Sequence, residues 1–242
     1  MASQIPSVSP SFLKCSQCSL GKLCLPVGLD SDDLSSLEEI IEPSSPFKDN
    51  AKVYEAEQRF DRIYAVKSGM FKTVVIDANG NEHIVGFHLP GELFGLDAIY
   101  PKKYISTAIS LGTSSVCGIS YPDLESLASK LPSLQRQLFS LMSKEVHTSQ
   151  ALSVDQTAEQ KLAGFLIALS ARYKQRGYSE SRINLMMPRR DIANHLNMAP
   201  ETVSRLFKRF QAEALLDIKR TDLTILDMEG LRRMAGCASV SC

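Results

Sequence analysis

The chain has 242 residues, of which 44% are apolar and 22% charged; this is ordinary soluble composition with enough length for two ordinary domains, or one large one, around a real hydrophobic core. No apolar run approaches the roughly 18–20 residues of a membrane helix, and the opening MASQIPSVSPSF has neither the charged nor the apolar region of a secretory leader, so a cytoplasmic protein without a membrane partner is expected. Basic and acidic side chains balance at 27 each, yet residues 159–220 hold twelve Lys and Arg against six Asp and Glu, and residues 1–158 hold thirteen against eighteen. A basic segment on an acidic chain points to a polyanion partner, or else to a solvated helix face.

The first element is CSQCSLGKLC, which places Cys15, Cys18 and Cys24 within ten residues. In a reducing compartment such cysteines are metal ligands or free thiols sooner than disulfides. Spacing alone leaves three readings open: an iron–sulfur cluster, a structural zinc, or a thiol–disulfide switch. Cys237 and Cys242 sit on a loose tail and read as free thiols.

From Lys52 to about Ser120 the pattern is β. KVYEAEQ, IYAVKSG, MFKTVVID, EHIVGFHL and SSVCGIS are short β-branched or aromatic runs separated by turn residues. Gly69, Gly80 and Gly91 punctuate them, and Asn79-Gly80 is a hairpin signal. A small barrel or roll is expected.

Helix follows, with no Gly or Pro from Ser133 to Ala163. Leu131, Leu134, Leu138 and Leu141 keep heptad spacing, and Glu145, Thr148 and Leu152 continue the row. Leu134, Leu138, Leu141, Met142, Glu145 and Val146 are therefore expected on a dimerisation helix of modest stability; packing on the chain's own roll is the rival reading. The helix is expected to break between Ser153 and Thr157, where Ser153 or Asp155 offers a cap and Thr157 with Gln160 a capping box.

MPRRDIANHLNMAPETVSRLFKRFQAEALLDIK then reads as a helix-turn-helix. Ile192, Ala193, Leu196 and Val203, Leu206, Phe207, Phe210 are apolar at helical spacing, interrupted by Asn197-Met198-Ala199-Pro200, and Pro200 suits a first helical turn. The polar face of the second helix shows Glu201, Thr202, Ser204, Arg205, Lys208 and Arg209. Arg pairs with guanine, Glu accepts from cytosine and Ser serves either base. Arg189, Thr202, Lys208 and Arg209 suit the DNA backbone. LLDIKRTDLTILD alternates like the wing of a winged helix. A three-helix bundle that never touches DNA is the bland alternative.

Roll, long helix and winged helix, together with LPGELFG (89–95), ETVSRLFKRF (201–210) and RYKQRGYS (172–179), resemble the CRP/FNR family of bacterial transcription regulators over nearly the whole chain. The implied fold is α+β, with a cysteine-rich sensor loop at 1–28, a cyclic-nucleotide-binding-like β-roll at 29–130, a dimerisation helix at 131–155 and a winged helix-turn-helix domain at 156–242. Where cyclic-AMP-binding members have a Gly-Glu pair, this chain has Gly95-Leu96; where they have Arg-Ser, it reads Tyr104-Ile105-Ser106-Thr107. Lys102 and Lys103 are expected on an exposed turn, so no cyclic nucleotide is expected. The FNR branch carries cysteines instead, and Cys15, Cys18, Cys24 with Cys117 resemble its oxygen-sensing [4Fe–4S] site.

The resemblance further implies a homodimer acting as an activator, with Glu201, Ser204 and Arg205 reading TTGAT-like half-sites of an inverted repeat, and RNA polymerase as a partner through the Asp77–Glu82 hairpin. A bound cluster would pack the loop beside the long helix and favour dimers, and Glu145 facing its mate would favour monomers. The stretch from Lys144 to Gln160 is about three residues shorter than the usual family helix. Leu20 and Leu23 would cover the cluster. An enzyme of cupin type would need a His/carboxylate triad; the roll holds His83 and His88, whose offset puts them on opposite strand faces.

Overall fold

The structure, a computed structural model, describes residues 14–151 and 156–236, the side chains of 147–151 excepted. Cys237, Cys242, Leu152, the Thr148 side chain and the candidate caps Ser153 and Asp155 lie outside these described parts. The chain divides into two compact units, residues 1–153 and 154–242.

In the first unit a short 3-10 turn, Cys15–Gln17, precedes α1 (Ser31–Glu39). The Asp30 side chain accepts hydrogen bonds from the Asp32 and Asp33 amides and so caps α1. The roll is an antiparallel sheet of β1 (Ile41–Pro43), β2 (Lys52–Tyr54), β3 (Arg62–Ile76), β4 (Glu82–His88), β5 (Leu93–Phe94) and β6 (Thr107–Ser120). Its order is β1-β6-β3-β4, with β2 also on β6 and β5 also on β3. The Asn79-Gly80 hairpin forms between β3 and β4: Gly80 has φ 83°, and Asp77 Oδ1 accepts the amides of Asn79 and Asn81.

Gly69 departs from the expected role of a turn between two strands. It lies inside the single long strand β3, at φ 76°, at the register shift against β6 between Ser68 and Met70. A side-chain carbon there would fall 2.2 Å from Ser114 Oγ, so the glycine is required by close approach inside a bulged ladder.

Two helices close the unit, α2 (Tyr121–Lys130) and α3 (Pro132–Ala151). Leu131 caps α2 with extended geometry (φ −116°, ψ 95°) and is not part of the long helix. The leucine row turns inward, contrary to its expected role as a dimer seam. Leu134 is fully buried in the roll core beside Leu37, and Leu138 and Leu141 pack against that core. Leu134 is thus taken up by the roll core, while Leu138 and Leu141 pack on it and stay partly exposed. Met142 and Val146 do face solvent, and with Phe139 they form a second 3-4 stripe that is 41–63% exposed. Glu145 is exposed beside that stripe, on the continuation of the leucine row.

The second unit opens with α4 (Ala158–Gln175), whose Thr157–Gln160 capping box forms in both directions. It continues with β7 (Arg182–Asn184), α5 (Arg189–His195), α6 (Pro200–Ala212), β8 (Leu216–Lys219), β9 (Asp222–Ile225) and α7 (Met228–Met234). The expected wing is the β8–β9 hairpin, and β7 joins it in a three-stranded sheet of order β7-β9-β8.

Candidate functional site

The three N-terminal cysteines are held by a succession of tight turns. Cys18 N–H donates to Cys15 O at 3.1 Å, Gly21 N–H to Cys18 O at 3.1 Å, and Cys24 N–H to Leu20 O at 3.1 Å. The loop is fastened at two places. Ser16 N–H donates to Glu38 Oε1 on α1 at 2.9 Å. Leu23 rests on the roll turn at Gly91, where an added side-chain carbon would come within 3.0 Å of Leu23 Cβ. Gly91 has φ 87° and donates its N–H to Val66 O at 2.8 Å, so the turn needs glycine for both conformation and contact. Leu25, directly after Cys24, is fully buried in the roll core.

Cys117 lies 93 residues beyond Cys24. It stands in β6 opposite Pro43 of β1 and Ala65 of β3. All four cysteines line one cavity, whose wall is otherwise almost wholly apolar and includes Leu20, Leu25, Ile41 and Ile119. In this conformation the thiols form the walls of the cavity; among the described residues no three His, Cys, Asp or Glu side chains converge on one metal-sized point. Burial pushes the Cys15 and Cys24 thiols up to about 12, with proximity to the other cysteines adding to it. Cys117 is raised by burial as well. Four soft sulfur donors, of which Cys15, Cys24 and Cys117 are disfavoured by burial as lone thiolates, are suited to a group whose positive charge stabilises the thiolates together.

The interior of the roll near Tyr104 and Ser106 is filled by side chains. Tyr104 stacks on Tyr54 at 3.8 Å and 13°, and its hydroxyl donates to Arg62 O at 2.7 Å. Tyr64 and Phe94 extend the stack, Ser106 is buried, and Ser106 Oγ donates to Asp97 Oδ2 at 3.4 Å. Nearby cations are engaged at the rim: Arg62 with Glu42 at 2.5 Å, Lys103 with Glu57 at 2.6 Å, and Lys102 over the Tyr121 ring at 5.3 Å. His83 is exposed and bonds Asp77, and His88 is half-buried against Thr73.

In the second unit α5 and α6 meet through a four-residue turn. Asn197 adopts φ 54°, Met198 N–H donates to Ala193 O at 2.8 Å, and Pro200 opens α6. Ile192, Ala193, Leu196, Val203, Leu206, Phe207 and Phe210 are all buried, which fixes the outward face of α6. Glu201, Arg205 and Lys208 are exposed on it, and Thr202 and Ser204 are half-buried. Arg189 is exposed at the start of α5 and stacks over Phe207 at 5.1 Å. Arg209 is exposed as well, and in this structure it bonds Glu213 at 2.7 Å and Glu159, at the start of α4, at 2.5 Å. These two bonds make it a strut within the unit.

Sequence reasoning missed Glu38, Gly91 and Lys67 at the cysteine cavity. Glu38 and Lys67 are single residues with no motif; Gly91 was visible as a turn glycine within LPGELFG, but not its contact with the cysteine loop.

Residues 160–234 match a family model described as Crp-like helix-turn-helix domain, and residues 45–130 match one described as Cyclic nucleotide-binding domain. The chain is 38% identical over 239 residues to the transcriptional regulatory protein btr of Bordetella pertussis, covering 98% of each. It is 40% identical over 227 residues to the transcriptional activator protein FnrA of Stutzerimonas stutzeri, covering 93% of each. The structure of FixK2 from Bradyrhizobium japonicum shares the fold, with a TM-score of 0.75 at 22% identity, over 83% of this chain and 100% of that one.

Proposed function

The chain belongs to the CRP/FNR family of transcription regulators and is of the FNR type, and from that premise we propose that it is an oxygen-responsive, DNA-binding activator whose Cys15, Cys18, Cys24 and Cys117 hold a [4Fe–4S] cluster. The observation that carries this reading is the convergence of an N-terminal loop and a mid-strand cysteine on one apolar cavity. When bound, such a cluster supplies an oxygen-labile cross-link between four thiolates.

The chain's own residues transmit the state of that cross-link. Cys117 is paired on both sides within the sheet, so tying Cys15, Cys18 and Cys24 to it would hold the loop down on Gly91. Glu38 at one end of α1 holds the loop through the Ser16 amide. Asp33 at the other end accepts the Ser133 Oγ–H at 3.0 Å, in the first turn of α3. A loop that lifts away therefore disturbs α1 and, through it, α3. The exposed Phe139, Met142 and Val146 stripe on α3 is the surface that pairs with a second copy, and a few kcal/mol of loop-dependent contact is enough to switch such an equilibrium.

In the dimer two copies of α6 address half-sites about one helical turn of DNA apart. Glu201, Ser204 and Arg205 read TTGAT-like base edges, and Arg189, Thr202 and Lys208 hold the backbone. The Asp77–Glu82 hairpin is the contact offered to RNA polymerase. It is stiffened by Asp77, whose carboxyl is held well below the usual carboxylate range by hydrogen bonds from His83 and Asn81. No cyclic-nucleotide ligand is expected, and the stacking of Tyr54, Tyr64 and Tyr104 inside the roll supports this.

Anaerobic purification tests the reading. A brown protein that loses its colour and its dimer in air supports it. A colourless protein holding one zinc, unchanged in air, replaces it with a zinc-stabilised regulator of the same fold.

A further inference from the structure

We propose that Lys67 is the counter-cation of the four-cysteine site and that its charge sets how long a bound cluster survives oxygen. This rests on the cluster reading above.

The geometry begins with the ladder between β3 and β6. Val66 stands opposite Val116 and Ser68 opposite Ser115, so the register shifts at Lys67, which is the extra residue of a bulge. In a flat strand consecutive side chains point to opposite faces. Here Ala65, Val66 and Lys67 all line the cysteine cavity. A bulge re-aims side chains in this way. It is stabilised from the other side, because Val66 N–H donates to Glu92 O at 2.9 Å and Val66 O accepts from Gly91 N–H at 2.8 Å. The same glycine turn that seats Leu23 thus holds the bulge that places Lys67 on the wall of the cysteine cavity.

Among the described lining residues Lys67 is the single charged side chain. Lys67 is half-buried, and a lysine in such a place can lay its alkyl stem on apolar surface while its ammonium stays in water.

The consequence follows from charge. Four thiolates outweigh the positive charge of an iron–sulfur core, so the loaded site is a net anion in an apolar wall. Passing one electron from the cluster to dioxygen leaves one negative charge fewer for Lys67 to hold. The cation therefore opposes oxidation and slows loss of the cluster. Net charge near a cluster is one of the quantities that set its potential. A unit charge a few ångströms away, at an effective dielectric of about 20, changes such a rate on the order of tenfold.

The test uses the full chain loaded anaerobically with iron and sulfide, as wild type, Lys67→Arg, Lys67→Met and Lys67→Glu. The readouts are the first-order loss of visible absorbance in air, which does not depend on the fraction loaded, and the reduction potential of the bound cluster. Lys67→Met is expected to bleach on the order of tenfold faster than wild type and Lys67→Glu faster still, with potentials falling in the same order. Lys67→Arg is expected to match wild type, because it keeps charge and changes shape. Equal rates and potentials in wild type and Lys67→Glu would overturn the proposal, as would equal acceleration by Lys67→Arg and Lys67→Met, which would mark a packing effect. A wild-type chain that takes up no iron and sulfide defeats the cluster reading itself, before any variant is compared.

Discussion

Substituting Gly91 by Ala tests whether the cysteine loop is seated on the roll. Two costs are expected. Gly91 has φ 87°, and an alanine forced into the left-handed region costs about 1–2 kcal/mol. The new methyl also meets Leu23 Cβ at 3.0 Å, which forces the loop or the turn to give by a few tenths of an ångström, at a cost of about 1 kcal/mol or somewhat more. The sum, about 2–3 kcal/mol, falls on the first unit alone. Urea unfolding of the metal-free protein followed by circular dichroism measures it, and the transition of the second unit serves as an internal reference. The decisive comparison is a double-mutant cycle with Leu23→Gly, which removes the carbon that the methyl meets. With Leu23 absent, the steric part of the Gly91→Ala cost disappears and the conformational part stays, so a coupling of about 1 kcal/mol is expected. Additivity within about 0.3–0.5 kcal/mol would refute the statement that Leu23 rests on Gly91.

The two faces of α3 separate by mutation. Leu134→Ala is expected to destabilise the first unit by about 2–5 kcal/mol, because Leu134 is fully buried in the roll core. Met142→Glu leaves stability within about 0.5 kcal/mol and prevents self-association in sedimentation. Asp33→Ala removes the acceptor for Ser133 Oγ and is expected to leave cluster uptake intact while weakening the change in dimer affinity that follows cluster loss. Thr157→Ala is expected to lower the stability of the second unit by about 1 kcal/mol, since its hydroxyl caps α4. Arg205→Ala is expected to cost about 1–3 kcal/mol on the cognate inverted repeat and to relax specificity; an equal loss on random DNA would show that it touches only phosphate.

Features that depend on near neighbours were readable from the sequence. The apolar rows of α5 and α6, the Thr157–Gln160 box and the Asn79-Gly80 hairpin each involve residues within a turn or two of one another, and each formed as expected. The leucine row on α3 was legible as an apolar face, but periodicity does not say what covers it. The roll took Leu134, Leu138 and Leu141, and the Phe139, Met142 and Val146 stripe was left outside. Gly69 reads like a turn because glycine marks turns and bulges alike; only the Ser114 contact across the ladder tells them apart. Arg209 reads like its cationic neighbours, and its bond to Glu159, fifty residues earlier, is not legible from its own helix. Cys117 could be joined to the N-terminal cysteines through a family resemblance, and the approach of Leu23 to Gly91 shows physically how the loop reaches that part of the roll.

The central claim is that four cysteines hold iron and sulfide. Its most direct test is iron and acid-labile sulfide per chain in protein purified without oxygen, for wild type and for Cys117→Ala. The account expects about four of each per wild-type chain, with loss of both in Cys117→Ala although the second unit still folds. A wild-type chain with no iron or sulfide, or with one zinc that survives air, would contradict it.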